Sequence, residues 1–362
     1  FGEDHPNYLG MIGAYGNRCA NMAMAKVDLL LALGTRLDIR QTGTTPFIHK
    51  GKIIHVDIDE NELKKPTLHV SLPVHADCRE LFKAMLKILE NEKTPVWQGG
   101  GPGIKGMNWA DTCKYWKNKY PVCREGFLKE DDSRPADVYA FIHEIGLRAK
   151  ENQLVVVGNG SACVVGGHSY IIKKGQRFIS NSALASMGYD LPAAIGIYTA
   201  NEGYEKDVVL ITGDGSIQMN LQELQTIIHH NMDIKIFLIN NEGYHSIRQT
   251  QRKFFAERST VGIGPESKDL SFPDMEKLAA AYGYNYVKAE HNSQLKAAVD
   301  KAFKTEGAVI CEAFVSTDRE FEPKSSGKRL PDGSIVSPPL EDLTPFLSDE
   351  EMEENMIVPR EA

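Results

Sequence analysis

Apolar and polar positions along the chain fall into two patterns. Short continuous apolar runs bounded by glycine or polar turns predict buried strands, and stretches with apolar residues three and four apart predict helices. In segment 1–90 the run Val27 to Leu33 stops at Gly34, the run Lys52 to Asp59 follows, and Leu68 to Val74 supplies a short third. Ala20 to Ala25 reads as a small-residue helix. Arg79 to Leu89 carries helical spacing through Leu81, Phe82, Met85, Leu86 and Leu89. These are βαβ signals, implying a parallel sheet buried on both faces. A free-standing doubly wound domain needs about five or six strands, so this segment is expected to be the carboxyl-terminal part of a Rossmann-like domain that is truncated here.

Residues 91–133 change character. Gly99, Gly100, Gly101, Pro102, Gly103 and Gly106 sit among Trp97, Trp109 and Trp116. No strand precedes these glycines and no Gly-Lys-Ser/Thr follows, so the segment reads as a linker rather than a phosphate loop. From 134 to 315 a complete α/β pattern appears. Its strands are expected at Leu154 to Val157, Arg177 to Ile179, Val208 to Thr212, Ile234 to Ile239, Tyr284 to Lys288 and Ala308 to Ala313. Helical stretches alternate with them near Ala136 to Lys150, Leu191 to Thr199, Leu221 to His230, Phe272 to Tyr282 and Gln294 to Lys304. Residues 316–362 lose periodicity among Pro323, Pro331, Pro338, Pro339 and Pro345 and read as an extended surface tail. The fold class is α/β: a doubly wound parallel sheet preceded by part of a second Rossmann-like domain.

Composition narrows the partners. Over 362 residues, 41 Lys plus Arg face 49 Asp plus Glu, a formal charge of −8. That leaves no basic field for a phosphate backbone, so no nucleic-acid partner is expected. No apolar stretch approaches the ~20 residues that span a bilayer, so no membrane partner is expected. Cys19, Cys78, Cys113, Cys123, Cys163 and Cys311 contain no C-x-x-C pair, against a zinc ribbon, an iron–sulfur cluster or a disulfide framework; a reducing cytoplasm fits. The chain opens at Phe1 without an initiator Met, which together with the strand count leads us to expect a fragment of a longer protein.

Candidate chemistry gathers at strand ends. Gly213-Asp214-Gly215-Ser216 directly follows the run Val208 to Thr212, and in an open parallel sheet ligands bind outside the carboxyl ends of strands. Asp214 would present a carboxylate there while the flanking glycines let backbone amides approach anionic oxygens. Alone, Gly-Asp-Gly is also a common turn. The next strand ends in Asn240-Asn241-Glu242-Gly243-Tyr244, which would bring Asn241 to the same sheet edge. Carboxylate, side-chain amide and backbone carbonyl are hard oxygen ligands suited to Mg²⁺, with diphosphate and water completing its shell.

Gly213-Asp214-Gly215-Ser216 followed by Asn240-Asn241, with twenty-four residues between Gly215 and Asn240, resembles the thiamine-diphosphate signature, in a context similar to the acetolactate synthase-like branch of that superfamily. His5-Pro6 through Gly10-Met11, Asp28 to Arg36 and His55 to Asp59 are similar to its central domain. Met187-Gly188 with Leu191 to Gly196, and Pro339 to Leu343, extend the likeness over nearly the whole chain.

The resemblance implies thiamine diphosphate and Mg²⁺ as cofactors. Asp214, Asn241 and the Gly243 carbonyl would hold the metal, with Gly213, Gly215, Ser216, Tyr244 and His245 around the diphosphate. Asn159, Gly160 and Ser161 occupy the other diphosphate loop, where the family usually carries Gln-His-Gln. Met187 would prop the cofactor in its bent conformation and Ala185 would offer its carbonyl to the 4′-amino group. On residue type alone, Met187 is core filler and His245 a satisfied surface histidine; the resemblance makes His245 a candidate polar group beside the reacting centre. The family's flavin segments read here as Gly13-Ala14-Tyr15-Gly16 and Arg36-Leu37-Asp38-Ile39-Arg40, and the lost His and Asp argue against FAD. The implied activity is decarboxylation of a 2-oxo acid, with pyruvate as the small-molecule substrate, and transfer of the two-carbon unit to a second carbonyl. The family implies a homo-oligomer with active sites at the subunit interface. Its activating glutamate lies on a preceding domain, so this stretch alone is expected to be inactive. Two alternatives stand beside this reading. The sequence His245 to Gln251 is similar to enzymes that would add the unit to a keto sugar in polysaccharide biosynthesis, and a non-catalytic subunit would keep the fold without the chemistry.

Overall fold

In the computed structural model, which describes residues 2–44, 46–91, 100–255, 260–329 and 332–356, the chain divides into two units. One comprises Pro6–Val122 with Glu322–Ala362, the other Phe1–His5 with Cys123–Phe321.

In the first unit, Leu29–Leu33 (β1), Lys52–Asp57 (β2) and Leu72–His75 (β3) form a parallel sheet in the order β1-β2-β3. The helices Arg18–Lys26 and Cys78–Asn91 flank them in sequence, as the periodicity predicts. Burial on both faces is not observed. Leu29, Leu31 and Leu72 are exposed, as are Phe82, Leu86, Ile88 and Leu89 on the second helix. Three short strands offer too little surface for helices to cover both sides.

The linker and tail expected from composition are organised differently. In the stretch expected to be a linker, Asn108 caps the helix Trp109–Lys119 by accepting the Asp111 N–H at 2.9 Å. Trp116 on that helix is fully buried in a cluster with Cys19, Met22, Ala23, Ile104 and Met352. Its indole N–H donates to Asn355 Oδ1 at 2.8 Å. Trp97 and Gly99 lie outside the described residues. The proline-rich segment also belongs to this unit: Leu340 packs with Ala32, Leu37, Phe47 and Ile53, and Asn21 Nδ2 donates to its carbonyl at 2.8 Å. Isolated anchors such as Trp116, Leu340 and Met352 have no period, so a pattern of spacing passes over them.

In the second unit, Leu154–Val157 (β4), Arg177–Ser180 (β5), Val208–Gly213 (β6), Ile234–Asn240 (β7), Asn285–Ala289 (β8) and Val309–Phe314 (β9) make one parallel sheet in the order β5-β4-β6-β7-β9-β8. All six lie where the apolar runs place them. The central strands are fully buried on both faces from Val155 to Val157, Val208 to Ile211 and Ile236 to Ile239. Each such Val, Leu or Ile contributes about 1.5–3 kcal/mol. Helices at Val138–Arg148, Asp190–Thr199, Glu223–His229, Met275–Tyr282 and Asn292–Lys304 answer to the predicted ones.

Of the helices longer than one turn in this unit, two lie outside the predicted stretches, Ser161–Ser169 and His245–Phe254. The chain leaves β4 to one side, for β5, and returns on the other, for β6. The crevice at the carboxyl ends of β4 and β6 is therefore the sheet's topological switch point. Among the described residues no helix is long and apolar enough to cross a membrane, and the six cysteines form no disulfide.

Candidate active site

Three turns converge at the carboxyl edge of the second sheet because β4, β6 and β7 are neighbours, with Val157 paired to Ile211 and Gly213 to Ile239. After β4, Gly158-Asn159-Gly160 opens the helix Ser161–Ser169, and Gly160 takes φ 62° at its N-cap. After β6 comes Asp214. After β7, Asn241-Glu242-Gly243 opens the helix His245–Phe254, with Glu242 at φ 55° and Gly243 at φ 116°. Two helix N-termini thus face the same edge, the ordinary setting for an anion.

Asp214 is buried. Its Oδ1 accepts the Gly215 N–H at 2.7 Å and its Oδ2 the Gly243 N–H at 2.8 Å. Loss of water pushes its carboxyl up to about 7, while the two N–H donors and the Arg248 charge act in the opposite direction. Asn241 is also buried. Its Nδ2 donates to Ser161 Oγ at 2.9 Å, and its Oδ1 has no hydrogen-bond partner. An acceptor left bare in the interior costs about 1–3 kcal/mol, and a cation would satisfy it. Among the described residues no three His, Cys, Asp or Glu side chains converge on one point. A cation here would rest on one carboxylate, one amide oxygen and backbone oxygen, a donor set for a hard ion that brings other oxygen ligands with it.

Beside this pair lies a cavity of about 410 Å³ lined by Asn159, Gly160, Ser161, Met187, Gly215, Ser216, Asn241, Gly243, Tyr244, His245, Ser246 and Ile247. The structure therefore brings ten of the expected residues to one cavity wall. Asp214, Gly213 and Ala185 are not among the lining residues, although Gly215 and Gly243, which bond Asp214, are. Ala185, at φ 54°, accepts from Asn159 Nδ2 at 2.7 Å, so the departure from the family's usual side chains at this loop has a use: it pins the turn before Met187. Ser216 Oγ accepts the Gly188 N–H at 3.0 Å from the other side. Met187 itself is 38% exposed on the cavity wall, not core filler. A Cβ on Gly215 would stand 2.4 Å from the Tyr244 ring, so glycine there is what lets the ring line the cavity.

His245 reaches the cavity with both ring nitrogens engaged. Arg248 Nη1 lies 3.2 Å from Nδ1, and Nε2 is 2.7 Å from the Arg319 carbonyl. An arginine only donates and a carbonyl only accepts, so the ring is the Nε2–H tautomer. It lines the cavity as an oriented wall, with its nitrogens committed to protein partners. Sequence reasoning passed over Ser246, Ile247 and Arg248. The helix beginning at His245 would have exposed them, since Ile247 and Arg248 follow Tyr244 by three and four.

Residues 158–313 match the family model described as thiamine pyrophosphate enzyme, C-terminal TPP binding domain, and residues 1–85 match the thiamine pyrophosphate enzyme central domain. The chain is 32% identical over 329 residues to the acetolactate synthase large subunit of Cyanidium caldarium, covering 89% of this chain and 52% of that protein. It is 31% identical over 327 residues to acetolactate synthase 1, chloroplastic, of Zea mays, covering 89% and 49%. Against the acetolactate synthase isozyme 3 large subunit of Escherichia coli (strain K12) the figures are 28% over 305 residues, 84% and 50%. The chain spans about half the length of the curated relatives it matches.

Proposed function

The chain belongs to the thiamine pyrophosphate enzyme family, and from that membership we propose that the cavity at β4, β6 and β7 holds Mg²⁺ and the diphosphate of thiamine diphosphate. The enzyme it serves decarboxylates a 2-oxo acid such as pyruvate and passes the two-carbon unit to a second carbonyl. The observation that carries this reading is the buried, unsatisfied Oδ1 of Asn241, near the buried carboxylate of Asp214 at the edge of a glycine-lined cavity. An apolar ligand would leave that oxygen bare. A hard cation accompanied by an anion satisfies the oxygen, the carboxylate and the two helix N-termini together.

In this reading Asp214, Asn241 and the Gly243 carbonyl hold Mg²⁺, and Gly160, Ser161, Gly215 and Ser216 surround the diphosphate. When bound, thiamine diphosphate supplies the electron sink for decarboxylation. The residues of this chain orient it and keep water away. Met187 stands on the cavity wall from a turn fixed on both sides, by Asn159 at Ala185 and by Ser216 at Gly188. Tyr244, edge-on to Phe272 at 5.6 Å, closes another side. Among the described residues no glutamate lines the cavity; we assign the cofactor-activating acid to the part of the relatives' length that this chain does not span, and the intact enzyme to a homo-oligomer with its active sites at the subunit interface.

The test is a titration of thiamine diphosphate with Mg²⁺ onto the protein, followed by thermal unfolding and, in the intact enzyme, by product analysis with pyruvate. A ligand that binds the native state raises the melting temperature. Mg²⁺-dependent stabilisation and acetolactate formation are expected; no stabilisation at millimolar cofactor overturns the reading.

A further inference from the structure

Arg248 is a fully buried arginine on a helix whose one other buried residue is His245. Its Nη1 donates to the Asn241 carbonyl at 2.8 Å and its Nη2 to the Glu242 carbonyl at 2.7 Å. Its Nε donates to Glu266 Oε2 at 3.0 Å, and Nη1 also faces His245 Nδ1. The two carbonyls belong to the turn after β7, past the last residue of the strand, where sheet bonding has ended.

The Glu242 carbonyl and the Gly243 N–H are the two ends of one peptide unit. That unit is trans, since the cis bonds among the described residues are Glu322-Pro323 and Thr344-Pro345. In a planar trans peptide the C=O and N–H point in opposite directions. The carbonyl end is held by Arg248 and the N–H end donates to Asp214 Oδ2. The preceding unit is held likewise: its Asn241 carbonyl accepts from Arg248, and its Glu242 N–H donates to Asn240 Oδ1 at 3.1 Å. Fixing two successive peptide planes fixes the backbone at Glu242, which sits at φ 55°, a conformation that a non-glycine residue keeps only when its surroundings over-determine it.

We propose that Arg248 is a positioning residue for the cation site, setting the turn from which Asn241 and Gly243 face Asp214 through one rigid guanidinium. The inference rests on the reading of the cavity as a cation and diphosphate site. Arginine suits the task because its planar fork meets two carbonyls and a carboxylate in fixed directions, whereas a lysine ammonium is a point charge on a flexible stem. Glu266 completes the device by anchoring Nε from outside the turn.

The experiment titrates Mn²⁺, as a paramagnetic stand-in for Mg²⁺, into the intact protein saturated with thiamine diphosphate and reads bound metal by electron paramagnetic resonance. Arg248→Met should weaken Mn²⁺ binding about 10- to 100-fold, the usual effect of losing a partner that orients metal ligands. Arg248→Lys keeps the charge without the fork and should recover only part of that affinity. Glu266→Ala leaves Arg248 in place without its anchor and should weaken binding several-fold, which keeps the test decisive if Arg248→Met does not fold. Wild-type Mn²⁺ affinity in both Arg248→Lys and Glu266→Ala overturns the positioning role. Failure of the wild-type protein to bind Mn²⁺ in a cofactor-dependent way overturns the site itself.

Discussion

Gly243 donates its backbone N–H to Oδ2 of Asp214 at 2.8 Å, tying the turn after β7 to the turn after β6. That bond and the Gly215 N–H at 2.7 Å hold the carboxylate by both oxygens. Asp214→Ala leaves two buried donors bare and removes the one carboxylate of the proposed cation site. The variant should lose about 1–3 kcal/mol of stability and all Mg²⁺-dependent stabilisation by thiamine diphosphate. Thermal unfolding with and without cofactor checks both. A variant that is still stabilised by cofactor in an Mg²⁺-dependent way would mean that the cation sits elsewhere.

Gly213 and Gly215 flank the same aspartate but meet different surroundings. A Cβ on Gly213 would find its nearest neighbour, the Ile239 carbonyl, 4.0 Å away, whereas one on Gly215 would stand 2.4 Å from Tyr244 Cε1 and 2.8 Å from Cδ1. The Tyr244 ring packs edge-on against Phe272 and would have to leave that position. Gly215→Ala should therefore cost about 1–3 kcal/mol, with weaker cofactor binding, and Gly213→Ala well under 1 kcal/mol. Denaturant unfolding of the pair decides it; equal losses would sink the steric argument.

The legible parts of this protein are those whose physics is periodic or motif-like. Val155 to Val157 and Ile236 to Ile239 are central strands buried on both faces, so they appear in the sequence as unbroken apolar runs. Asp214 and Asn241 could be paired because parallel neighbouring strands must end on one edge. The helix Ser161–Ser169 was hidden by the opposite property: it is buried around much of its circumference and contains Gly166 and Gly167, so it shows no stripe. Arg248 was hidden because its burial depends on two carbonyls and Glu266, partners that only the folded turn brings to it. Trp116 stood among lysines and glycines that suggested a linker, and a single anchor gives no period to detect.

Glu312 provides a pH signature independent of the cofactor. It is buried behind the site on β9, accepting from Asn240 Nδ2 at 2.7 Å and from the Tyr286 hydroxyl. Burial raises its carboxyl above the usual glutamate value, although both donors pull the other way. The native state then keeps a proton that the unfolded chain has released. Stability from this group is greatest below the ordinary carboxylate range and declines as pH rises from about 4 toward the raised native value. Glu312→Gln should flatten that decline, because an amide has no proton to lose and Tyr286 can turn its hydroxyl to accept. Unfolding free energies across a pH series test this; parallel curves for the two proteins would refute it.

Asn159 Nδ2 donates to the Ala185 carbonyl at 2.7 Å, connecting the turn after β4 to the loop that carries Met187. Ala185 sits at φ 54°, so the loop needs such a tether to keep its shape. Asn159→Ala removes the donor but leaves a part-buried carbonyl that water can reach, so the fold should survive. The cost falls on the preorganisation of the Met187 wall. A net hydrogen bond of about 0.5–1.5 kcal/mol corresponds to an affinity loss of about 2- to 10-fold for thiamine diphosphate. Asn159→Asp should do worse than alanine, because it sets a carboxylate against the carbonyl and beside a diphosphate. Calorimetric titration of the cofactor into both variants reads the order directly. If aspartate bound the cofactor as tightly as asparagine, the contact with Ala185 would have no bearing on the site.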